Sequence, residues 1–236
     1  MESIDYERNI AGDSRWMRMI IHIDCFNDEN DIIAYLFVTD IDEQKKQELR
    51  LTAMAETDAL TGLYNRHRAV PEMEKYLTEH EDETSALIMI DLDNLKQTND
   101  TFGHAYGDTM ILTMAKRIKN HFREEDIVSR FGGDEFLILC KNISRETLER
   151  KLKKLVQPVV VTSDNKEYSS KFTLSAGYVM IEGNTETLNE LYQKADHAMF
   201  EAKKKGKSSY AGYDVSTFQK ESPASSAQSA KRWEIK

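Results

Sequence analysis

An α/β (α+β) domain is the fold class this sequence predicts: a sheet covered by helices, close to a ferredoxin-like arrangement. Three observations carry it. Residues 86–90, Ala-Leu-Ile-Met-Ile, form a continuous apolar run and read as a buried strand. Tyr106, Met110, Ile111, Met114, Ile118 and Phe122 recur at helical spacing. Strand-like runs at 127–130 and 136–140 flank Gly132-Gly133 and read as a hairpin. The same patterning extends the series: 148–156 reads as helix and 172–180 as strand. Leu188, Leu191, Tyr192, Ala195, Met199 and Ala202 then form one face of a last helix. From 58 to 213 the order is therefore helix, strand, helix, hairpin, helix, strand, helix, which suits the ferredoxin-like class.

Three further regions flank this one. Within residues 1–41, strand-like runs at 16–23 and 32–38 are joined by the turn-prone Asn27-Asp28-Glu29-Asn30-Asp31, which predicts a hairpin. Two or three strands cannot bury a core alone, so this stretch is expected to be the closing part of a larger β domain. With its Thr39-Asp40-Ile41-Asp42-Glu43 exit it resembles the closing strands of a PAS sensor domain. Residues 42–57 are charged and free of Gly and Pro, and Asp42 can cap a helix there. Leu49, Ala53 and Met54 offer that helix a narrow apolar stripe. It reads either as a solvated connector or as a parallel coiled-coil linker between two protomers. Residues 214–236 include a Ser/Ala-rich stretch at 223–230 and are expected to be a disordered tail or a linker.

The bulk numbers limit the partners. The 236 residues carry a net charge of −9, so the chain is a poor general binder of nucleic-acid backbone, and an anionic ligand needs local cations. No apolar run is long enough to span a bilayer, and Met1–Asp5 lacks the pattern of a secretory signal. Cys25 and Cys140 have no metal-type spacing and read as reduced thiols. A cytoplasmic location is expected.

Two acidic clusters carry the chemistry. Asp91-Leu92-Asp93 ends the buried strand, with Asp91 and Asp93 on one face. Gly132-Gly133-Asp134-Glu135-Phe136 makes the hairpin turn, with room for a ligand beside the glycines and with Asp134 and Glu135 projecting to opposite sides. If the strands are neighbours, Asp91 and Asp134 can share a hard cation through oxygen ligands. Carboxylates holding magnesium against phosphates are working parts of phosphoryl transfer. Either cluster alone is also an ordinary polar strand end or turn.

Together the clusters are more specific. Arg130-Phe131-Gly132-Gly133-Asp134-Glu135-Phe136 resembles the signature of the GGDEF family. The resemblance continues through Asp58-Ala59-Leu60-Thr61-Gly62-Leu63-Tyr64-Asn65-Arg66, Asp91 to Lys96, Asn99 to His104, Gly107-Asp108, Lys194 to Phe200, Ala202-Lys203 and Gly206-Lys207. It covers about 58–210 and implies a palm-type diguanylate cyclase that condenses two GTP molecules into cyclic di-GMP. It implies that Asp91, Asp134 and the Leu92 carbonyl hold magnesium or manganese. Glu135 would be a second metal contact or the base for the 3′-hydroxyl. Asn99 and Asp108 would read guanine, and Lys96, Lys203 and Lys207 would meet the triphosphate. Lys203 and Lys207, four apart, are expected on one helical face, where a basic helix end favourable to the dipole is the plainer reading. Arg123-x-x-Asp126 resembles the family's inhibitory product site; otherwise it is a surface ion pair at i,i+3. Leu95 stands where the family often has Phe, and Ser208 where Asn is usual. The resemblance implies a homodimer, each protomer holding one GTP. The rivals are a catalytically silent module that binds GTP or cyclic di-GMP, and another palm-type transferase such as an adenylate cyclase.

Overall fold

The computed structural model describes residues 2–10, 13–26, 31–162, 169–183 and 186–214. They divide into two compact units between Ala55 and Glu56.

In the first unit, β1 (Glu2–Ile10), β2 (Asp13–Phe26) and β3 (Asp31–Asp40) form an antiparallel sheet in the order β1-β2-β3. The sequence predicts β2 and β3 but not β1, whose few apolar side chains are interleaved with charges. Its Asp5 sits directly opposite Arg18 and receives two hydrogen bonds from that guanidinium, at 2.7 and 2.9 Å. The expected turn at 27–30 lies outside the described residues. Helix α1 spans Asp42–Glu56. Asp42 is its first residue rather than its cap: the Asp40 carboxylate accepts the Asp42 N–H at 2.9 Å. Asp42 itself pairs with Lys46 at i,i+4, acidic end toward the helix N-terminus. The side chains of Leu49, Ala53 and Met54 lie outside the described residues, as do residues 215–236.

The second unit is built on a sheet in the order β11-β10-β5-β7-β6-β4. Its elements are β4 (Tyr64–Asn65), α2 (Arg66–Glu79), β5 (Ser85–Leu92), α3 (Leu95–Phe102), α4 (His104–His121), β6 (Ile127–Arg130), β7 (Glu135–Cys140), α5 (Arg145–Leu155), β8 (Val159–Thr162), β9 (Ser169–Phe172), β10 (Leu174–Ile181), α6 (Leu188–Lys204) and β11 (Tyr210–Gly212). The four central strands, β10-β5-β7-β6, pair antiparallel throughout, which is the ferredoxin-like order. Short β11 and β4 add parallel edges to β10 and β6.

Every residue of β5 is buried, because helices cover both faces of the sheet. The side chains still alternate. Ile88, Ile90 and Leu92 pack with α4 and α5 through Met110, Met114, Ile118, Leu148 and Leu152. Leu87 and Met89 pack with α2 and α6 through Met73, Leu191, Tyr192 and Met199. The next odd position is Asp91, so the apolar alternation delivers a carboxylate to the α6 side at the strand's end.

One expectation is corrected, and one element is unforeseen. The predicted strand at 172–180 is two strands: β9 ends at Phe172, β10 starts at Leu174, and Thr173 between them accepts the Asp93 N–H at 3.0 Å. One β-rich run thus serves two sheets. The sequence does not predict the β8–β9 ribbon, because its alternation is short and its residues are mostly exposed or half-exposed.

Candidate active site

Pairing register assembles the acidic site. Asp91 on β5 stands directly opposite Glu135, the first residue of β7. The Leu92 N–H donates to the Asp134 carbonyl at 3.1 Å, fastening the β6–β7 turn to the end of β5. One carboxylate oxygen each from Asp91, Asp134 and Glu135 lies within 4.8 Å of the other two. Asp134 and Glu135 therefore do not diverge to opposite sides as alternation predicts. Asp134 precedes β7 and belongs to the turn, where period two does not apply.

The turn is wider than a two-residue hairpin. Phe131 and Gly132 both donate their N–H groups to the Glu135 carbonyl, at 2.8 and 3.2 Å. A Cβ on Gly132 would come 2.9 Å from the Glu135 carboxylate, whereas one on Gly133 would meet nothing within 4 Å. Gly133 thus leaves one side of the turn open to a ligand. Arg130 braces the turn from below. Its guanidinium donates to the Gly133 carbonyl at 2.8 Å and to both oxygens of Asp58 at 3.0 and 3.1 Å. Burial opposes ionisation of Asp58, but hydrogen bonds from Thr61 and Arg130 outweigh it and hold the carboxyl below its usual range. In the sequence Asp58, Thr61 and Arg130 stand within the family's motifs with no sign of their pairing. The pairing of Arg130 with a carboxylate 72 positions away has no local signal.

Asp91 is 6% exposed, and its oxygen lies 2.7 Å from the Lys203 ammonium on α6. Burial pushes its carboxyl above the usual range. The Lys203 hydrogen bond pulls the other way, and the charges of Asp134 and Asp93 add to the rise. Three carboxylates around one point, one of them poorly compensated, are an all-oxygen donor set that fits a hard divalent cation. Asp93 shares a face with Asp91 but is turned into the protein by Thr173, Ser175 and Ser208.

The other residues singled out from the sequence are distributed around this centre. Asn99 lies in α3 and Asp108 in α4. The two helices meet closely at Gly107, where a Cβ would fall 1.9 Å from Asn99 Oδ1. That Oδ1 is buried and has no hydrogen-bond partner, while Asp108, which follows Gly107 in α4, is exposed. Buried polar atoms are normally satisfied, and this one is packed against Gly107 rather than open to solvent. Lys96 is exposed on α3. Lys203 and Lys207 do not share a helical face. Helix α6 ends at Lys204, and Gly206, Lys207 and Ser208 follow with φ of +118°, +64° and +48°. Lys207 is turned back toward the end of β5, where its ammonium is 2.5 Å from Asn94 Oδ1.

Arg123 and Asp126 stand apart from the acidic cluster and do not form an i,i+3 side-chain ion pair. Asp126 is buried, and its two oxygens accept the backbone N–H groups of Arg123 at 2.8 Å and Lys141 at 3.0 Å. The Arg123 guanidinium is half exposed, with Glu125 at 3.7 Å. Cys140 is buried in the core, which pushes its thiol well above the usual range. No helix among the described residues is long and apolar enough to cross a membrane.

Residues 55–209 match the family described as "Diguanylate cyclase, GGDEF domain". Over 174 residues, 72% of this chain, the sequence is 34% identical to the probable diguanylate cyclase DgcT of Escherichia coli K12, covering 38% of that protein. Over 183 residues, 75% of this chain, it is 34% identical to the diguanylate cyclase DgcM of the same organism, covering 43% of it. The chain thus spans about two fifths of the length of these curated relatives. The crystal structure of the GGDEF domain of DgcB from Caulobacter crescentus in complex with c-di-GMP superposes with a TM-score of 0.64 at 25% identity, covering 67% of this chain and 96% of that one.

Proposed function

Because the chain belongs to the GGDEF family of diguanylate cyclase domains, we propose that it condenses two GTP into cyclic di-GMP, each 3′-hydroxyl attacking the α-phosphate of the other nucleotide while pyrophosphate leaves. The observation that carries this reading is the convergence of Asp91, Asp134 and Glu135. Asp91 and Asp134, with the Leu92 carbonyl, would hold magnesium or manganese. When bound, the ion neutralises charge on the phosphates and favours the attacking alkoxide. Glu135 is close enough to the other two carboxylates to serve as a further ligand or as the base. Lys203 would exchange Asp91 for a phosphate oxygen, and Lys96 and Lys207 would add positive charge along the triphosphate. The test is direct: the protein is incubated with GTP and magnesium, and the nucleotides are separated. Cyclic di-GMP supports the reading. Bound but unconverted GTP would favour a silent binding module.

Asn99 and Asp108 are assigned to guanine. A carboxylate accepts from the N1–H and N2–H₂ of guanine, and the Asn99 side-chain amide would bond other polar atoms on the base. Asn99→Ala and Asp108→Ala are each expected to cost about 1–3 kcal/mol of base discrimination, by analogy with bidentate base readout. GTP and ATP compared as competing substrates should converge in both variants. An unchanged preference for GTP would end this assignment.

The half-exposed Arg123 is assigned to a feedback site for cyclic di-GMP, since a guanidinium can fork onto phosphate or onto the Hoogsteen edge of guanine. Arg123→Ala is expected to keep the initial rate and lose inhibition by added product. It is a cleaner variant than Asp126→Ala, which would strip two backbone N–H groups of their acceptor. Equal inhibition of variant and parent would leave Arg123 a surface charge. The strands before α1 are read as part of a PAS-like sensor segment, supported by their antiparallel order and direct exit into the helix. A cytoplasmic location and a catalytic homodimer complete the reading.

A further inference from the structure

Asp93 takes no place in the acidic cluster, yet it is among the most buried charges near the site. It is 3% exposed and lies one residue beyond β5. Its carboxylate accepts three hydrogen bonds: from the Thr173 hydroxyl at 2.6 Å, the Ser175 hydroxyl at 2.8 Å and the Ser208 N–H at 3.0 Å. Bonds to Thr173 and Ser175 join neighbouring strands and would steady any sheet end. The bond to Ser208 reaches a different kind of segment.

Gly206, Lys207 and Ser208 all have positive φ, and two of the three carry side chains. Left-handed backbone is disfavoured for such residues, and it persists where the surroundings over-determine it. Here Ser208 is held from two sides. Its N–H is bound by Asp93, and its hydroxyl donates to the Val156 carbonyl at 2.9 Å. With Ser208 fixed, Lys207 is carried back over the end of β5, and its ammonium reaches Asn94, the neighbour of Asp93. Released from these bonds, the segment after α6 would relax toward right-handed or extended backbone and swing Lys207 away.

We propose that Asp93 is a positioning residue for the phosphate-binding lysine: its buried carboxylate locks the left-handed 206–208 turn and so fixes Lys207 beside the β5–α3 loop. This rests on the reading of Lys207 as a triphosphate contact. Asp93 does not touch the nucleotide itself, since its oxygens are already engaged by the protein. The small polar set Thr173, Ser175 and Ser208 is the mechanism by which one strand end is tied to the loop after α6.

The proposal separates loss of geometry from loss of stability. Binding of a non-hydrolysable GTP analogue and of GMP, each with magnesium, is measured for the parent, Asp93→Asn, Lys207→Ala and the double variant, alongside thermal unfolding. Losing one charge-assisted hydrogen bond at the lock is expected to weaken the GTP analogue about tenfold in Asp93→Asn. GMP, which lacks the β- and γ-phosphates, should bind as in the parent. In the Lys207→Ala background, Asp93→Asn should weaken the analogue no further, while lowering the unfolding midpoint as it does in the parent. Thr173→Val is the control: it removes a bond to Asp93 but leaves the Ser208 bond, and should cost stability without a selective loss of the GTP analogue. Should Asp93→Asn not fold, Ser208→Ala, which unties the turn from Val156, is expected to reproduce the analogue-selective loss. Additive effects of Asp93→Asn and Lys207→Ala, or equal weakening of GMP and the analogue, would overturn the lock alone. A parent that binds no GTP analogue at all would overturn the phosphate reading with it.

Discussion

Asp91→Ala and Asp134→Ala are each expected to abolish formation of cyclic di-GMP while the fold survives. Both remove a charged oxygen ligand from one proposed cation site, and among the described residues no other acidic side chain joins that group. Glu135 is already part of the group, and Asp93 is locked to Thr173, Ser175 and Ser208. Loss of about 4 kcal/mol of transition-state stabilisation corresponds to roughly a thousandfold fall in rate, so product should drop below detection in an ordinary assay. Stability should move the other way at Asp91. Its carboxyl is destabilised by burial and by neighbouring acidic charges, so alanine there removes a strained charge as well as a ligand. A thermal midpoint at or above that of the parent is expected for Asp91→Ala, with Asp134→Ala close to neutral because that side chain is only half-buried at the turn. This combination, inactive but no less stable, is what a site that gives up stability for function produces. Near-normal turnover with unchanged magnesium dependence in either variant would remove that residue from the metal site.

Much of this arrangement is legible in the sequence, and the divide between legible and hidden is physical. Strand β5 and helix α4 announce themselves because their patterns are local: a run of five apolar residues, and side chains returning every three or four. Asp91 is legible for the same reason, as the place where an apolar strand turns acidic. What is hidden depends on contacts far apart in the chain. The brace from Arg130 to Asp58 cannot be inferred from either motif alone. Nor can the burial of Asp126, which turns a supposed ion pair into a clamp on two backbone N–H groups. The misplacement of Lys207 on the helix is a different failure. Lys203 and Lys207 have helical spacing, but Gly206, a helix-ending residue, lies between them and takes the backbone out of the helix. The ribbon β8–β9 escapes because four-residue strands with one buried residue each carry little hydrophobic contrast.

Initial rate is expected to rise faster than linearly with enzyme concentration below the dimer dissociation constant. A twofold-symmetric product made from two identical substrates is most simply built across a twofold protein interface. On the proposed assignment the described residues carry one set of metal carboxylates and one guanine-reading pair, Asn99 and Asp108, so a lone domain would present one activated GTP and no partner for it. In the dilute limit, activity should follow the dimer population and scale with the square of protein concentration, becoming linear once the dimer saturates. Residues 1–55 form a compact unit of their own, and a second contact between protomers there would raise the effective concentration of one cyclase domain near the other. Removing residues 1–55 should then lower specific activity most in dilute enzyme, by roughly 10²-fold or more if linkage sets the encounter, with partial recovery as concentration rises. Activation on deletion would mean instead that the first unit holds the two domains in an unproductive arrangement, and would leave the half-site requirement intact. The decisive result is a rate strictly proportional to concentration in a sample that sedimentation shows to be monomeric throughout. One domain would then be completing both transfers, and the two-half-site mechanism would fall.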